Sequence, residues 1–191
     1  MFIRTERLFL RPGWPEDWRE LHGAIADEAI VRNLARAPWP YSPDDARDFI
    51  ALPRDPRLPR FLVTLPGADG ARIIGGCGLH ADEGEVALGY WLARHAWGKG
   101  YATEAACALL GLARALGHRK LAACHAIDNP ASGRVLRKAG FRPTGRVTAR
   151  HSAGRGEAML SALYAIDLAD GGDSDNSGGD DAMTGKIRRA A

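Results

Sequence analysis

A turn carrying two glycines stands between two strongly patterned stretches of the chain. Tyr90-Trp91-Leu92-Ala93 reads as the end of a strand, and an apolar helical repeat opens after Gly100. Gly98 and Gly100 flank Lys99, and no acid falls between Tyr90 and Thr103. A strand that feeds a turn, and a turn that feeds a helix, leave unpaired backbone N–H groups where the helix dipole favours an anion. Glycine lets a ligand approach the main chain with no Cβ in the way. That chemistry suits a diphosphate. The plain alternative is a tight connection with no ligand.

Known nucleotide signatures do not account for this turn. The P-loop pattern is absent, and Thr103 stands where a dinucleotide fingerprint needs its third glycine. A formal match at Gly76-Cys77-Gly78-Leu79-His80-Ala81 runs into Asp82-Glu83-Gly84 and another strand. That fingerprint needs a helix start to meet the phosphate, so the match is one of chance.

The second cluster is Asn129-Pro130-Ala131-Ser132. Asn before Pro is a standard helix cap with Pro in the first helical position. Ser132 then falls in the first turn, where it is either an ordinary helical residue or a hydroxyl aimed at a ligand. Arg134, Arg137 and Lys138 follow on the same helix. They form a solvated basic face or meet a phosphate.

These groups must be positioned by the elements around them. Residues 2–11 read as a strand, and Pro15-Glu16-Asp17 opens a helix carrying Trp18, Leu21 and Ile25. Ser42-Pro43 opens another. Residues 61–65, 72–79 and 85–92 predict a meander of three antiparallel strands at the centre. Ala102, Ala105, Ala106, Leu109, Leu112 and Ala113 fall on one face of a long helix that Gly117 ends. A strand over 121–127, a helix from Asn129 to Gly140, and strands over 141–147 and 159–168 complete an α/β pattern. Residues 1–169 form one domain. From Asp170 to Ala191 the chain is rich in Gly, Ser, Asp and Asn, which predicts a disordered tail.

Composition narrows the function classes. With 46% hydrophobic and 26% charged residues, the chain reads as a globular domain. A net charge of +3, with no basic and aromatic interleaving, argues against a nucleic-acid partner. No signal peptide or span-length apolar run is present, which predicts a cytoplasmic protein without a membrane partner. Cys77, Cys107 and Cys124 lack metal or disulfide spacing, so three reduced, largely buried thiols and no metal site are expected.

Several motifs in order resemble the GNAT acetyltransferases. They are Leu88-Gly89-Tyr90-Trp91-Leu92-Ala93, then Trp97-Gly98-Lys99-Gly100-Tyr101-Ala102-Thr103-Glu104-Ala105. Asn129-Pro130-Ala131-Ser132 and Lys138-Ala139-Gly140-Phe141 follow. The chain is most similar to the branch that acetylates the N-termini of ribosomal proteins, whose opening strand resembles Arg4 to Pro12. The resemblance covers residues 2–168. It implies a splayed, mixed, seven-stranded sheet flanked by four helices, with acetyl-CoA in the cleft as co-substrate.

By the same resemblance, His95, Gly98 and Gly100 match the family's pyrophosphate loop, with His95 replacing the usual Gln or Arg. Leu92 and Ala93 would pair with the pantetheine arm. Gly98, Lys99, Gly100, Tyr101, Ala102 and Thr103 would hold the diphosphate. Asn129 would touch the pantetheine region, and Ser132 would stand near the thioester sulfur.

The reaction this implies is direct attack of a primary amine on the acetyl carbonyl. A chain's α-amine, with a pKa of about 7.7–8.0, needs less help from a base than a lysine at about 10.4. Ser132 would hydrogen-bond the departing thiolate. The branch often carries Glu where this sequence has Ala87; Glu85, on the same strand face, is the candidate base, acting through a water. His80 and His125 are further candidates, each also explicable as a structural histidine. Trp39 and Tyr41 mark the expected acceptor side, unless they serve only in packing. The acceptor is a protein N-terminus or a small amine such as an antibiotic, polyamine or amino acid. A CoA-binding sensor without turnover is the rival class. A monomer or homodimer is expected.

Overall fold

The computed structural model describes residues 1–68 and 70–169. The expected tail after Asp170 lies outside the described residues. The chain runs β1 (Ile3–Arg4), β2 (Phe9–Arg11), α1 (Trp18–Ile25), α2 (Glu28–Val31), α3 (Pro43–Ala51), β3 (Arg60–Leu65), β4 (Arg72–Asp82) and β5 (Glu85–Leu92). It continues through α4 (Tyr101–Ala115), β6 (Lys120–Ala126), α5 (Pro130–Lys138), β7 (Arg142–Ser152) and β8 (Glu157–Asp167).

All eight strands join one mixed sheet in the order β1-β2-β3-β4-β5-β6-β8-β7. The predicted antiparallel meander is β3-β4-β5. β5 and β6 are parallel and share a single registered pair, Ala87 with Ala122. Beyond it the two strands part, which is the expected splay.

Two expectations need correction. Residues 2–11 do not form one strand. Thr5 Oγ1 accepts the Leu8 N–H at 2.9 Å, and the Thr5 N–H donates to the Leu8 carbonyl at 3.0 Å. The segment therefore folds back as a hairpin, with Ile3 opposite Leu10. This raises the strand count from seven to eight. The fifth helix is α2, a single turn whose N-cap Asp27 accepts the Ala29 N–H at 2.8 Å.

Alternation along the strands sends their side chains to two cores. On one face Val63, Cys77, Leu79, Leu88 and Leu92 meet Ala105, Ala106, Leu109, Leu110 and Ala113 of α4 and Leu136 of α5. On the other, Leu62, Ile73 and Trp91 meet Leu21, Ile25, Ile30, Val31 and Ala46 of α1, α2 and α3. The sheet is thus covered on both faces around the splay. The thiols only partly follow expectation. Cys77 is buried, which pushes its pKa up to about 12, and Cys124 is half-buried, but Cys107 is exposed on α4. No described helix is long and apolar enough to cross a membrane.

A buried ion pair fixes the entry to α1. Arg11 donates from both terminal nitrogens to Asp17, at 2.6 and 2.8 Å, and the two side chains are 8% and 7% exposed. Asp17 also accepts the Trp14 N–H at 2.7 Å, and the Arg11 guanidinium lies 3.9 Å from the Trp14 ring centre. Burial alone would raise the Asp17 pKa, but the Arg11 and Trp14 hydrogen bonds and the Arg11 charge outweigh it and hold it below 3.8. A depressed carboxylate contributes stability above its unfolded pKa and loses it as pH falls through the folded value. Asp17→Asn leaves Arg11 buried without a counter-charge and should cost about 3 kcal/mol at neutral pH. Urea unfolding of both proteins at pH 7 and in steps below pH 3.8 checks this. The gap between them should be full at pH 7 and shrink on acidification.

Candidate active site

The site forms where β5 and β6 diverge, because each strand ends there in a loop that starts a helix. After Leu92, a 3-10 turn over Arg94–Ala96 leads to Gly98 and Gly100, with φ of 75° and 82°. Only glycine adopts such angles at little cost. Gly100 is the N-cap of α4 and offers no side-chain acceptor to the first turn. The N–H groups of Tyr101, Ala102 and Thr103 have no intrahelical partner by position. The Trp97 indole N–H donates to the Leu92 carbonyl at 2.7 Å and pins the turn to the strand end. Leu92 and Ala93 are buried, whereas His95, Gly98, Lys99 and Gly100 are exposed.

Arg7 was not legible as a site residue. The β1–β2 turn carries it to this loop, where its side chain donates to the Lys99 carbonyl at 3.0 Å. Its guanidinium also pairs with Glu104 at 2.6 Å and lies 4.7 Å from the Tyr101 ring centre. Glu104 further accepts from the Thr5 hydroxyl at 2.6 Å and the Arg7 N–H at 2.8 Å. Burial raises its pKa, but these hydrogen bonds and the Arg7 charge more than offset that and keep it ionised. A cation is thereby fixed beside the uncapped helix start.

At the end of β6, Asn129 caps α5 and accepts the Ser132 N–H at 3.3 Å, as Asn-Pro spacing predicted. Ser132 is half-buried, and its Oγ lies 2.7 Å from the Tyr90 hydroxyl. Tyr90 also donates to the Ser132 carbonyl at 3.0 Å. The pair spans the gap from β5 to α5. Tyr90 is the second site residue that the sequence reading did not assign a role. Burial pushes its hydroxyl up to about 12, against a smaller opposing effect from Ser132, so it keeps its proton. Arg137 donates to the Tyr164 hydroxyl at 2.9 Å, while Arg134 and Lys138 are exposed. His125 bonds the Ala126 carbonyl at 2.8 Å beneath α5, a structural placement.

The opposite face of the splay is walled by the α2–α3 loop and the β7–β8 turn. Ala153 N–H donates to the Ala35 carbonyl at 2.9 Å, Ser152 Oγ to Leu34 at 2.8 Å and Arg155 Nε to Arg32 at 2.7 Å. Arg155 grips Asp128 through two bonds of 2.9 Å. Arg150 of β7 pairs with Asp82 at the tip of the β4–β5 hairpin. Trp39 is 41% exposed beside this wall's loop, but Tyr41 is only 7% exposed and belongs to the second core. Burial, with Asp45 and Asp48 nearby, pushes the Tyr41 hydroxyl up to about 12.

Glu85 is exposed at the first residue of β5. A regular strand carries it about 13 Å from Gly89. The fold does not bring it to the Ser132–Tyr90 pair. Among the described residues, no group of three His, Cys, Asp or Glu side chains is placed to hold a metal ion.

The comparisons with known proteins agree with this geometry. The family pattern described as an acetyltransferase (GNAT) domain matches residues 7–142. An uncharacterized N-acetyltransferase, p20 of Bacillus licheniformis, is 33% identical over 110 residues, covering 54% of this chain and 60% of that protein's length. The crystal structure of a GNAT-family acetyltransferase from Bacillus anthracis is 26% identical, with a TM-score of 0.75 over 88% of this chain and 99% of the other. The microcin C7 self-immunity acetyltransferase MccE, solved with acetyl-CoA and AMP, is 18% identical, with a TM-score of 0.71 over 85% and 93%. RimL, the ribosomal L7/L12 α-N-protein acetyltransferase solved with coenzyme A, is 20% identical, with a TM-score of 0.69 over 87% and 98%. With the family pattern spanning most of the described residues and the splayed sheet matching in architecture, this chain belongs to the GNAT family of acetyltransferases.

Proposed function

We propose that the protein transfers the acetyl group of acetyl-CoA to a primary amine, and that the amine is the α-amino group of a polypeptide. The observation that carries this reading is the parting of β5 and β6 beyond the Ala87–Ala122 pair, with the start of α4 at one strand end and the start of α5 at the other. The residues fit the co-substrate. Gly98, Lys99, Gly100, Tyr101, Ala102 and Thr103 present an uncapped helix start to a diphosphate, with Arg7 alongside. Leu92 closes β5 with Ala93 next to it, and Asn129 follows β6, where the strands have parted and an amide-bearing arm would lie. Acetyl-CoA supplies an activated acyl group.

The Ser132 hydroxyl then hydrogen-bonds the departing sulfur, and the Tyr90 hydroxyl, bonded to the Ser132 carbonyl and Oγ, holds Ser132 in place. Neither hydroxyl is acidic enough to protonate a base in the resting protein, so both act as donors to charge that develops during transfer. The acceptor enters past Trp39, along the wall that the α2–α3 loop and the β7–β8 turn form together. An α-amine is partly neutral near pH 7 and needs less help from a base than a lysine amine does. The lower pKa of an α-amine favours a peptide acceptor over a lysine or alkyl amine, and small amines enter the test as the alternative.

Thermal unfolding with acetyl-CoA, CoA, ATP and NAD tests the cofactor site. Acetyl-CoA at ~100 times its Kd should stabilise the fold by about 2.7 kcal/mol, with CoA similar and ATP and NAD without effect. No shift with acetyl-CoA would remove the reading. Thiol release with peptides of free and blocked N-termini, spermidine and an aminoglycoside then identifies the acceptor. Turnover confined to free-N-terminus peptides is the expected result.

Ser132→Ala should lower kcat about 100-fold while leaving the acetyl-CoA shift intact, since its hydroxyl acts on the leaving sulfur. Tyr90→Phe should cost about fivefold, the worth of one neutral hydrogen bond to Ser132. A CoA-binding sensor would be indifferent to both changes.

A further inference from the structure

The side of β5 away from Ser132 holds an imidazole that nothing else in the fold uses. His80 on β4 is paired with Ala87, and Gly78 with Gly89. Paired residues of antiparallel strands point to the same face, so His80, Ala87 and Gly89 share one face and Tyr90 projects from the other. The His80 ring leans along the sheet over Gly89. A Cβ added to Gly89 would meet His80 Cε1 at 3.3 Å and Nδ1 at 3.6 Å. Glycine at 89 and alanine at 87 leave the room that the ring occupies.

His22, His118 and His125 each commit a ring nitrogen to a main-chain carbonyl, at 3.1, 2.8 and 2.8 Å. His80 has no such partner among the described residues and is only half-buried. A structural histidine is normally fixed by such a bond; this one is packed but left chemically free.

We propose that His80 is the general base of the transfer, acting from the face of β5 opposite the Ser132–Tyr90 pair. The proposal rests on the transferase reading above. As the acceptor nitrogen's lone pair forms the bond to the acetyl carbon, His80 takes the proton that nitrogen sheds. The C–S bond breaks with its electron pair on sulfur, the Ser132 hydroxyl hydrogen-bonds the thiolate as it forms, and the thiol gains its proton from water. His80 then releases its proton to water. One amine and one thioester become one amide and one thiol, with no other reactant.

The surroundings keep the imidazole neutral. Burial pushes His80 below its ordinary 6.5, the Arg36 guanidinium from the α2–α3 loop adds to this, Asp82 on its own strand opposes it, and Arg150 from β7 adds again. Asp82 is itself engaged by Arg150, which also lies 3.6 Å from Glu83. The imidazole therefore stays unprotonated at neutral pH and is charged only in acid. Glu85, four residues from Gly89, lies on the same face but about 13 Å away. Ala87, the residue paired with His80 across the two strands, adds no charge beside the ring.

The test compares wild type, His80→Gln, Glu85→Gln and Arg36→Gln by kcat against pH, using the peptide turned over fastest. The acetyl-CoA thermal shift checks that each variant keeps its fold and cofactor site. His80→Gln should lower kcat about 100-fold and abolish the acid limb that falls below pH 6.5. Arg36→Gln removes a neighbouring positive charge, so it should raise the His80 pKa and move that limb to higher pH. NMR titration of His80 in the protein without acetyl-CoA should show the same displacement.

A His80→Gln protein within twofold of wild type overturns the proposal and leaves the transferase reading standing. So does an acid limb that stays put when the NMR pKa moves. A large loss in Glu85→Gln with none in His80→Gln hands the base to Glu85. Wild type that turns over no amine overturns both the transferase reading and this assignment.

Discussion

The site depends on one broken pairing. Parallel strands that ran together for their full length would satisfy each other's backbone groups and leave no slot. Here β5 and β6 meet only at Ala87 and Ala122, and then separate. The separation leaves main-chain donors and acceptors of β5 free along the edge that faces β6. It also places two helix starts, at Gly100 and Asn129, just beyond the ends of the two parted strands.

A gap in a sheet tends to close or widen unless both sides are held. Two cores do most of this work, with α4 and α5 on one face and α1, α2 and α3 on the other. Polar braces set the remaining freedom. The Tyr90–Ser132 bond ties β5 to α5, Arg155 and Ser152 tie the β7–β8 turn to the α2–α3 loop, and Arg150 ties β7 to the β4–β5 tip. Arg7 and Glu104 lock the β1–β2 turn onto α4. Most of these join segments far apart in the chain, so the slot takes its width from the tertiary fold.

That explains which features could be read from sequence. The β3-β4-β5 meander, α4 and the Asn129 cap are written in local patterns of alternation, helical repeat and capping residues, and each appears where expected. The glycine turn was legible because a positive φ demands glycine. Residues 2–11 misled because their apolar spacing reads as a strand, while a single side chain, Thr5, turns the chain back. α2 escaped because four residues are too few for a helical period. Trp39 and Tyr41 were expected on the acceptor side unless they served in packing, and Tyr41 packs in the second core. Tyr90, Arg7 and the leaning of His80 over Gly89 are contacts between distant elements, and no local pattern encodes them.

The same gap gives the strand two chemical sides. Successive residues of a strand point to opposite faces, so Gly89 and Tyr90 place His80 on one side of β5 and Ser132 on the other within one residue of backbone. A thioester lying along the free edge would expose its carbonyl carbon towards one face and its sulfur towards the other. A proton acceptor and a proton donor that touched each other would exchange the proton directly and neutralise both roles. In the proposed transfer the β5 backbone keeps the two groups apart, with His80 over Gly89 and Ser132 against Tyr90. Unpaired amides on that edge add a further effect, because buried backbone groups are costly unless something meets them. In the proposed transfer, an extended co-substrate carrying amides would meet them as an added strand does.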